Sequence, residues 1–484
     1  MRFRLFAFFA CLTLSCAAWA GNLPPEVLSA LKSAQISPAD VAVVVQPVDA
    51  KMPLIAHNAG QPMNPASVMK LVTTYGALNL LGPAWTWKTG ALSDTAAPQE
   101  GFLRGAVDGT LPGNLYLKGS GDPLFAIEHL WALLRQLRVR GIRHIAGDIV
   151  LDRSVFAVPA VDPGAFDDKP MRPYNVGPNG LLINFQAVRL TLQPAVGQPR
   201  LLLETPSAGL RLDNRLRTTD GPCPSSWKDL INIRLIPDSG GHRLEFSGSY
   251  AGACGEKALN LSPLAADAQA DALIRALWQE LGGTLGGSVH GGTTPATATT
   301  IVEHESPPLA DIVRDINKFS NNVMARQLFL TIGNDTAPAT AERARQRLVD
   351  WLDSRGLHFP ELNIDNGSGL SRQARISAGS LNRLLLDAWK SPVMAELESS
   401  LPIVGIDGTM KKRLNDSQAT GRAHIKTGTL DGVKTAAGYA LDARGERYAV
   451  TFLINAPHAQ AGSAAIDALL VWIAQRHTAN GNQP

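Results

Sequence analysis

Residues 41–58 alternate like two short strands around Asp49-Ala50-Lys51, and an apolar, helix-like stretch follows over 66–81. The far end of the chain has the same character. Residues 423–427, 433–441 and 448–455 read as three strands joined by turns at Asp431-Gly432 and Arg444-Gly445, and a helix over 462–475 closes the chain. Strands at both ends with helices beside them predict one α/β domain whose sheet is completed by segments from both termini. Everything between is then insertion or helical subdomain.

That middle region is rich in Gly and Pro and strand-like at 115–119, 145–151, 181–192, 231–236 and 244–250, with helical patterns mainly at 127–140 and 265–281. It reads as one or two β-rich inserted domains, with a Pro-rich connection at 159–178 and a return to the main domain over 282–300. The pairs Gly282-Gly283, Gly286-Gly287 and Gly291-Gly292 follow a helix and not a strand, so they predict turns rather than a phosphate cradle.

Size agrees with that division, since 484 residues exceed the ~250 to 300 at which a single core stops growing. With 45% hydrophobic and 18% charged residues the chain folds around a real core and is not disordered. Its start has the form of an export leader: Arg2 and Arg4, an apolar run over 5–14, and an Ala18-Trp19-Ala20 cleavage site before Gly21. The apolar run is shorter than the ~20 residues of a membrane span, and no later stretch approaches that length. The mature protein is therefore expected in the periplasm, with no transmembrane span and at most peripheral membrane contact.

Cleavage removes Cys11 and Cys16. The remaining Cys223 and Cys254 then sit in an oxidising compartment, where one disulfide is expected rather than a metal or redox site. The 45 basic and 42 acidic side chains nearly balance, and two of the basic ones belong to the leader, so charge alone predicts no partner. No basic run with interleaved aromatics is present, which argues against nucleic acid.

Three short pieces carry candidate chemistry, in this order: Ser67-Val68-Met69-Lys70, Ser320-Asn321-Asn322 and Lys426-Thr427-Gly428. Ser67 and Lys70 are three apart at a helix start just after Pro65, so their side chains share a face. An unaided serine hydroxyl is a poor nucleophile, but an amine can take its proton once burial and a second cation depress the lysine pKa. The helix N-terminus adds partial positive charge where an oxyanion would form. Ser320-Asn321-Asn322 falls between helical stretches 309–318 and 323–330; taken alone it is an ordinary cap, while in an active site Ser320 relays a proton and Asn322 orients Lys70. Lys426-Thr427-Gly428 ends a strand, where Lys426 supplies the second cation, Thr427 and Thr429 bind a carboxylate, and Gly428 lets a substrate backbone lie close.

Each piece recurs elsewhere in the chain. Ser29 and Lys32 lie in a polar-faced helix, Ser225 and Lys228 in a Pro-flanked loop, Ser380-Leu381-Asn382 on a segment without polar partners, and Lys88-Thr89-Gly90 too near Lys70 in sequence to face it. These copies are read as structural.

The ordered triple is the signature of β-lactamases and penicillin-binding proteins. Further stretches, Gly119-Ser120-Gly121-Asp122-Pro123, Asp148 to Asp152, Tyr174-Asn175-Val176, Asn184-Phe185, Asp365 to Arg372 and Leu401 to Thr409, resemble the D-alanyl-D-alanine carboxypeptidase/endopeptidase family, the class C low-molecular-mass penicillin-binding proteins. The resemblance covers nearly the whole mature chain. It implies an α/β penicillin-recognising, β-lactamase/transpeptidase-like domain, an antiparallel sheet flanked by helices, interrupted by two nested, mainly-β inserted domains. The expected limits are a leader at 1–20, a catalytic domain at 21–87 and 295–484, an inserted domain at 88–110 and 193–294, and a second at 111–192 nested in the first.

By the same resemblance Ser67 is the acylated nucleophile, Lys70 its base, Ser320 and Asn322 the relay pair, Lys426 to Gly428 the substrate strand, and the NH groups of Ser67 and Thr429 the oxyanion hole. Arg372 is a candidate clamp for a stem-peptide carboxylate. The middle motif has Asn321 where many relatives in the wider superfamily carry Asp, but the flanking residues are those that act. Peptidoglycan stem peptides and β-lactams are the implied partners. No cofactor is implied, and the ten histidines show no metal spacing. Two other readings use the same residues. A β-lactamase is usually compact, whereas about half of this chain separates Ser67 from Ser320, and fast penicillin turnover would mark it. A non-catalytic wall-binding scaffold would leave penicillin unlinked, and the intact Ser67, Lys70, Ser320 and Lys426 argue against it.

Overall fold

A computed structural model of the chain describes residues 22–95, 109–335 and 337–476; the leader at 1–20 lies outside them. The terminal segments build one antiparallel sheet of five strands in the order Ala423–Leu430, Val433–Leu441, Arg447–Asn455, Val41–Pro47 and Ile55–His57. Val41–Pro47 is buried on both faces and not on alternate residues as its sequence pattern predicts, because it lies inside the sheet with a core on each side. Side chains alternate across a strand, so Ala42 and Val44 enter one core and Val41, Val43 and Val45 the other.

The first core is shared with the helices Lys70–Leu80, Leu309–Lys318, Asn322–Ile332, Ala341–Ser354 and Ala378–Trp389. The second lies under the N-terminal helix Pro25–Ser33 and the C-terminal helix Ser463–Gln475. The sheet and its flanking helices have the expected α/β architecture. The stretch predicted as one helix over 66–81 is a single turn of 3₁₀ helix, Ala66–Met69, that runs into the α-helix Lys70–Leu80.

Strand pairing divides the insertion at other points than the sequence reading predicts. Val289–Gly292, Ile149–Asp152, Leu115–Lys118, Lys88–Ser93 and Thr299–Glu305 form one five-stranded sheet, covered by the helices Ile127–Val139 and Ala266–Glu280. Two three-stranded sheets, one built on Val188–Gln193 and the other on Gly241–Ala251, enclose a separate core. The expected limits at 111, 193 and 295 therefore cut through hydrogen-bonded sets. Thr299–Glu305 pairs with Lys88–Ser93, Leu115–Lys118 also pairs with Lys88–Ser93, and Leu192 pairs with Leu201. Two predicted strands are shorter than expected. Residues 181–187 form a turn with Asn184, Phe185 and Gln186 all at positive φ, and the 145–151 stretch breaks into His144–Ile145 and Ile149–Asp152.

Cys223 and Cys254, 31 residues apart, form the expected disulfide beside the smaller core. No helix among the described residues is long and apolar enough to cross a membrane.

Candidate active site

The nucleophile turn is set by its backbone. Ala66 adopts a positive φ of 45°, held by Asn64, whose Oδ1 accepts the Ala66 N–H at 2.9 Å while its Nδ2 donates to Ser371 O at 2.8 Å. The chain leaves this turn with Ser67 half-buried and Lys70 fully buried at 0% exposure. Lys70 Nζ lies 3.0 Å from Ser67 Oγ, 2.6 Å from Asn322 Oδ1 and 2.6 Å from Ser368 O. Burial, then the charges of Lys426 and Arg326, hold its pKa well below the usual lysine value.

Asn322 Oδ1 and Ser368 O only accept, so a neutral Lys70 amine can give them its two hydrogens and turn its lone pair toward the Ser67 hydroxyl, while an ammonium can donate its third hydrogen to Ser67 Oγ in the same geometry.

Ser320 sits in the tight turn between Leu309–Lys318 and Asn322–Ile332, at φ 56°. The middle residue Asn321 is the cap, its Oδ1 accepting from Met324 N at 3.1 Å, which leaves the flanking Ser320 and Asn322 free for the cleft. Lys426 Nζ donates to Ser320 Oγ at 2.9 Å and to Thr427 O at 2.7 Å. Its own pKa is pushed down to about 7 by burial. Ser67, Lys70 and Asn322 thus form one hydrogen-bonded set and Ser320 and Lys426 a second, with Ser320 and Asn322 contributed by the same turn.

Along the edge strand Ala423–Leu430, Lys426 and Gly428 are buried, Thr427 is half-buried and Thr429 is exposed. Thr427 Oγ1 lies 2.8 Å from Thr409 Oγ1, and Lys434 Nζ donates to Thr429 Oγ1 at 3.0 Å. A Cβ at Gly428 would meet Thr435 Oγ1 at 2.2 Å, Pro65 O at 2.9 Å and Ser67 N at 2.9 Å, so this glycine lets the strand lie against the nucleophile turn.

Arg372 lines the same cleft, exposed, donating to Asp431 O at 3.2 Å with its guanidinium 4.9 Å from the centre of the Phe166 ring. The cleft encloses about 1100 Å³, and its far wall comes from the insertion, through Phe166, Tyr174, Asn184 and Arg189.

Three groups escape sequence reasoning. Ser368 O acts through its backbone; the signal was the pair Gly367 and Gly369, both at positive φ, with Gly369 so close to Ala66 O that a Cβ would clash at 1.8 Å. Thr409 is delivered by a loop pinned through Asp407, which accepts from the buried Lys318 at 2.7 Å. Arg326 carries no local signal. The other copies of the motifs serve elsewhere: Lys88 pairs with Glu303 at 2.9 Å on the surface, Ser380 Oγ donates to Glu361 at 2.6 Å, and Lys228 stands over the Trp227 ring.

An antiparallel sheet with a helix-borne Ser-x-x-Lys, a Ser-x-Asn turn and a Lys-Thr-Gly edge strand meeting in one cleft defines the penicillin-binding class of protein. The chain belongs to the D-Ala-D-Ala carboxypeptidase 3 (S13) family, which it matches over residues 25–476. It is 28% identical to a D-alanyl-D-alanine carboxypeptidase of Actinomadura sp. strain R39, covering 94% of this chain and 85% of that one. A D-alanyl-D-alanine carboxypeptidase of Haemophilus influenzae is 25% identical, over 86% of this chain and 85% of its own length. The crystal structure of penicillin-binding protein 4 from Haemophilus influenzae superimposes with a TM-score of 0.74 over 92% of this chain and 98% of that chain, at 24% identity.

Proposed function

We propose that this D-Ala-D-Ala carboxypeptidase works through an acyl-enzyme on Ser67, and that it cleaves both the terminal D-Ala-D-Ala bond of peptidoglycan stem peptides and the D-alanyl cross-link between stems. The observation that carries the reading is the Lys70 amine, buried, with two acceptors for its hydrogens and Ser67 Oγ on its remaining side. Ser67 Oγ attacks the penultimate D-Ala carbonyl and its proton passes to Lys70 Nζ. The NH groups of Ser67 and Thr429 hold the oxyanion. As the C–N bond breaks, the leaving amine takes a proton through Ser320, with Lys426 behind it. Water then adds to the ester and frees Ser67.

Thr427 and Thr429 receive the terminal carboxylate on the edge strand, and Arg372 clamps a carboxylate on the stem-peptide side chain. A terminal dipeptide fills only a small part of a cleft of about 1100 Å³, which supports the admission of a second stem. Export by the leader places this reaction in the periplasm, where β-lactams acylate the same serine.

The test is the intact mass of the protein after exposure to benzylpenicillin. A single, slowly released penicilloyl adduct is expected, absent in Ser67→Ala. Adduct retained in Ser67→Ala would refute the nucleophile, and release within seconds would make the protein a β-lactamase.

A further inference from the structure

The outer side of the edge strand Ala423–Leu430 is covered only at its start. Val404 N donates to Ala423 O at 2.9 Å and Ile425 N to Pro402 O at 2.7 Å, which lays residues 402–404 along it. Past Ile425 no described strand lies beside it, so the open edge runs over residues 426–430. The loop that covers the first residues therefore also ends the groove.

This loop is locked from behind. Lys318, the last residue of Leu309–Lys318 and two before Ser320, is buried at 3% exposure, and its Nζ donates to Leu401 O at 2.6 Å and to Asp407 Oδ2 at 2.7 Å. Asp407 Oδ1 accepts from Ile403 N at 2.7 Å, so one carboxylate ties the loop both to itself and to the helix end. Gly408, at φ 55°, lies so close that a Cβ would meet Lys318 O at 2.6 Å, and Met410 is buried in the second core. Between them Thr409 is exposed, with its Oγ1 2.8 Å from Thr427 Oγ1. Two hydroxyls in contact share one hydrogen, and both can turn to donate when a group with two acceptor oxygens arrives.

We propose that Thr409 is a specificity-determining residue for the leaving group: with Thr427 it forms a hydroxyl pair that takes the carboxylate of the residue after the scissile bond, and the loop held by Lys318 and Asp407 stops the substrate strand at that residue. A terminal D-Ala is admitted, and a chain that continues through the same carboxyl is excluded. Lys318 and Asp407 are positioning residues, acting through the place they give Thr409.

The inference rests on Thr427 receiving that carboxylate, and the experiment keeps the two apart. kcat and KM are measured for the full chain, Thr409→Val and Thr409→Ser on diacetyl-L-Lys-D-Ala-D-Ala and on the same peptide ending in D-alaninamide. The wild type is expected to favour the acid. In Thr409→Val the KM for the acid rises about tenfold, the usual worth of one hydrogen bond to a charged group, with kcat nearly kept and the amide unaffected; Thr409→Ser keeps the wild-type KM. Equal losses on acid and amide, a fall in kcat alone, or an unmoved KM would overturn the proposal.

Asp407→Asn breaks the pairing with Lys318 and is expected to lower the preference for the acid in the same way; a folded Asp407→Asn with full preference counts against the lock, and the exposed Thr409 variants decide the matter if it does not fold. A wild-type chain that cleaves acid and amide alike refutes the reading of Thr427, whereas full preference kept by Thr409→Val refutes only the role of Thr409.

Discussion

At the scale of single residues the site is a matter of contacts with no slack. Gly428 shows this most directly, because its missing side chain is what allows the edge strand to touch the turn that carries Ser67. Gly428→Ala forces a methyl group into Thr435 Oγ1 and the Pro65–Ser67 backbone. It is expected to destabilise the protein by about 1 to 3 kcal/mol, the usual range for overpacking, measured by chemical denaturation. Fluorescent-penicillin labelling is expected to slow at least a hundredfold, on the order of the effect of losing one oxyanion donor, since Ser67 N is among the groups displaced. Labelling at the wild-type rate would mean that the turn has room to move away.

Single elements separate stability from chemistry. The turn before Asn322–Ile332 gives adjacent residues opposite duties: Asn321 closes the helix, and Asn322 holds Lys70. Asn321→Ala is expected to lower the unfolding free energy by about 1 kcal/mol, as for other lost caps, with acylation close to wild type. Asn322→Ala reverses the pattern, leaving the melting temperature nearly unchanged and abolishing most acylation, because an acceptor for the Lys70 amine is gone. Thermal melts and acylation rates on the same two preparations decide it. If both variants lose activity equally, the cap is what places Ser320.

Across the whole molecule, the terminal sheet and the two three-stranded sheets of the insertion hold separate cores, and the insertion joins the helices through Phe156 in their core, through Val176 and Leu182 against Val323, and through the hydrogen bonds of Arg326 and Gln327. The disulfide lies in the part of the insertion built on the two three-stranded sheets. Closing a loop of 31 residues contributes about 3 to 4 kcal/mol by chain entropy. Replacing both cysteines with serine is therefore expected to lower the first unfolding transition in calorimetry, with penicillin acylation at Ser67 retained. Loss of acylation in the folded double variant would show that the smaller core supports the site directly.

Much of this protein is legible in one dimension. The strand at the start of the domain, the three C-terminal strands with their Asp-Gly and Arg-Gly turns, and the spacing of Ser67 and Lys70 all follow from local periodicity and turn chemistry, whereas the burial of Val41–Pro47 on both faces does not. The ordered motifs likewise mark Ser320, Asn322 and Lys426 before any coordinate is known. Pairing between distant strands is not encoded locally, so only the folded chain joins Thr299–Glu305 to Lys88–Ser93 and moves the limits of the inserted units. The same holds for the groups that tune the site. Ser368 contributes a backbone carbonyl, which no residue type announces, and Gly428 is required by a turn more than three hundred residues earlier in the chain. Arg326 is placed in the same way, since its guanidinium meets Val176 O of the insertion only once the helix and the insertion have packed together.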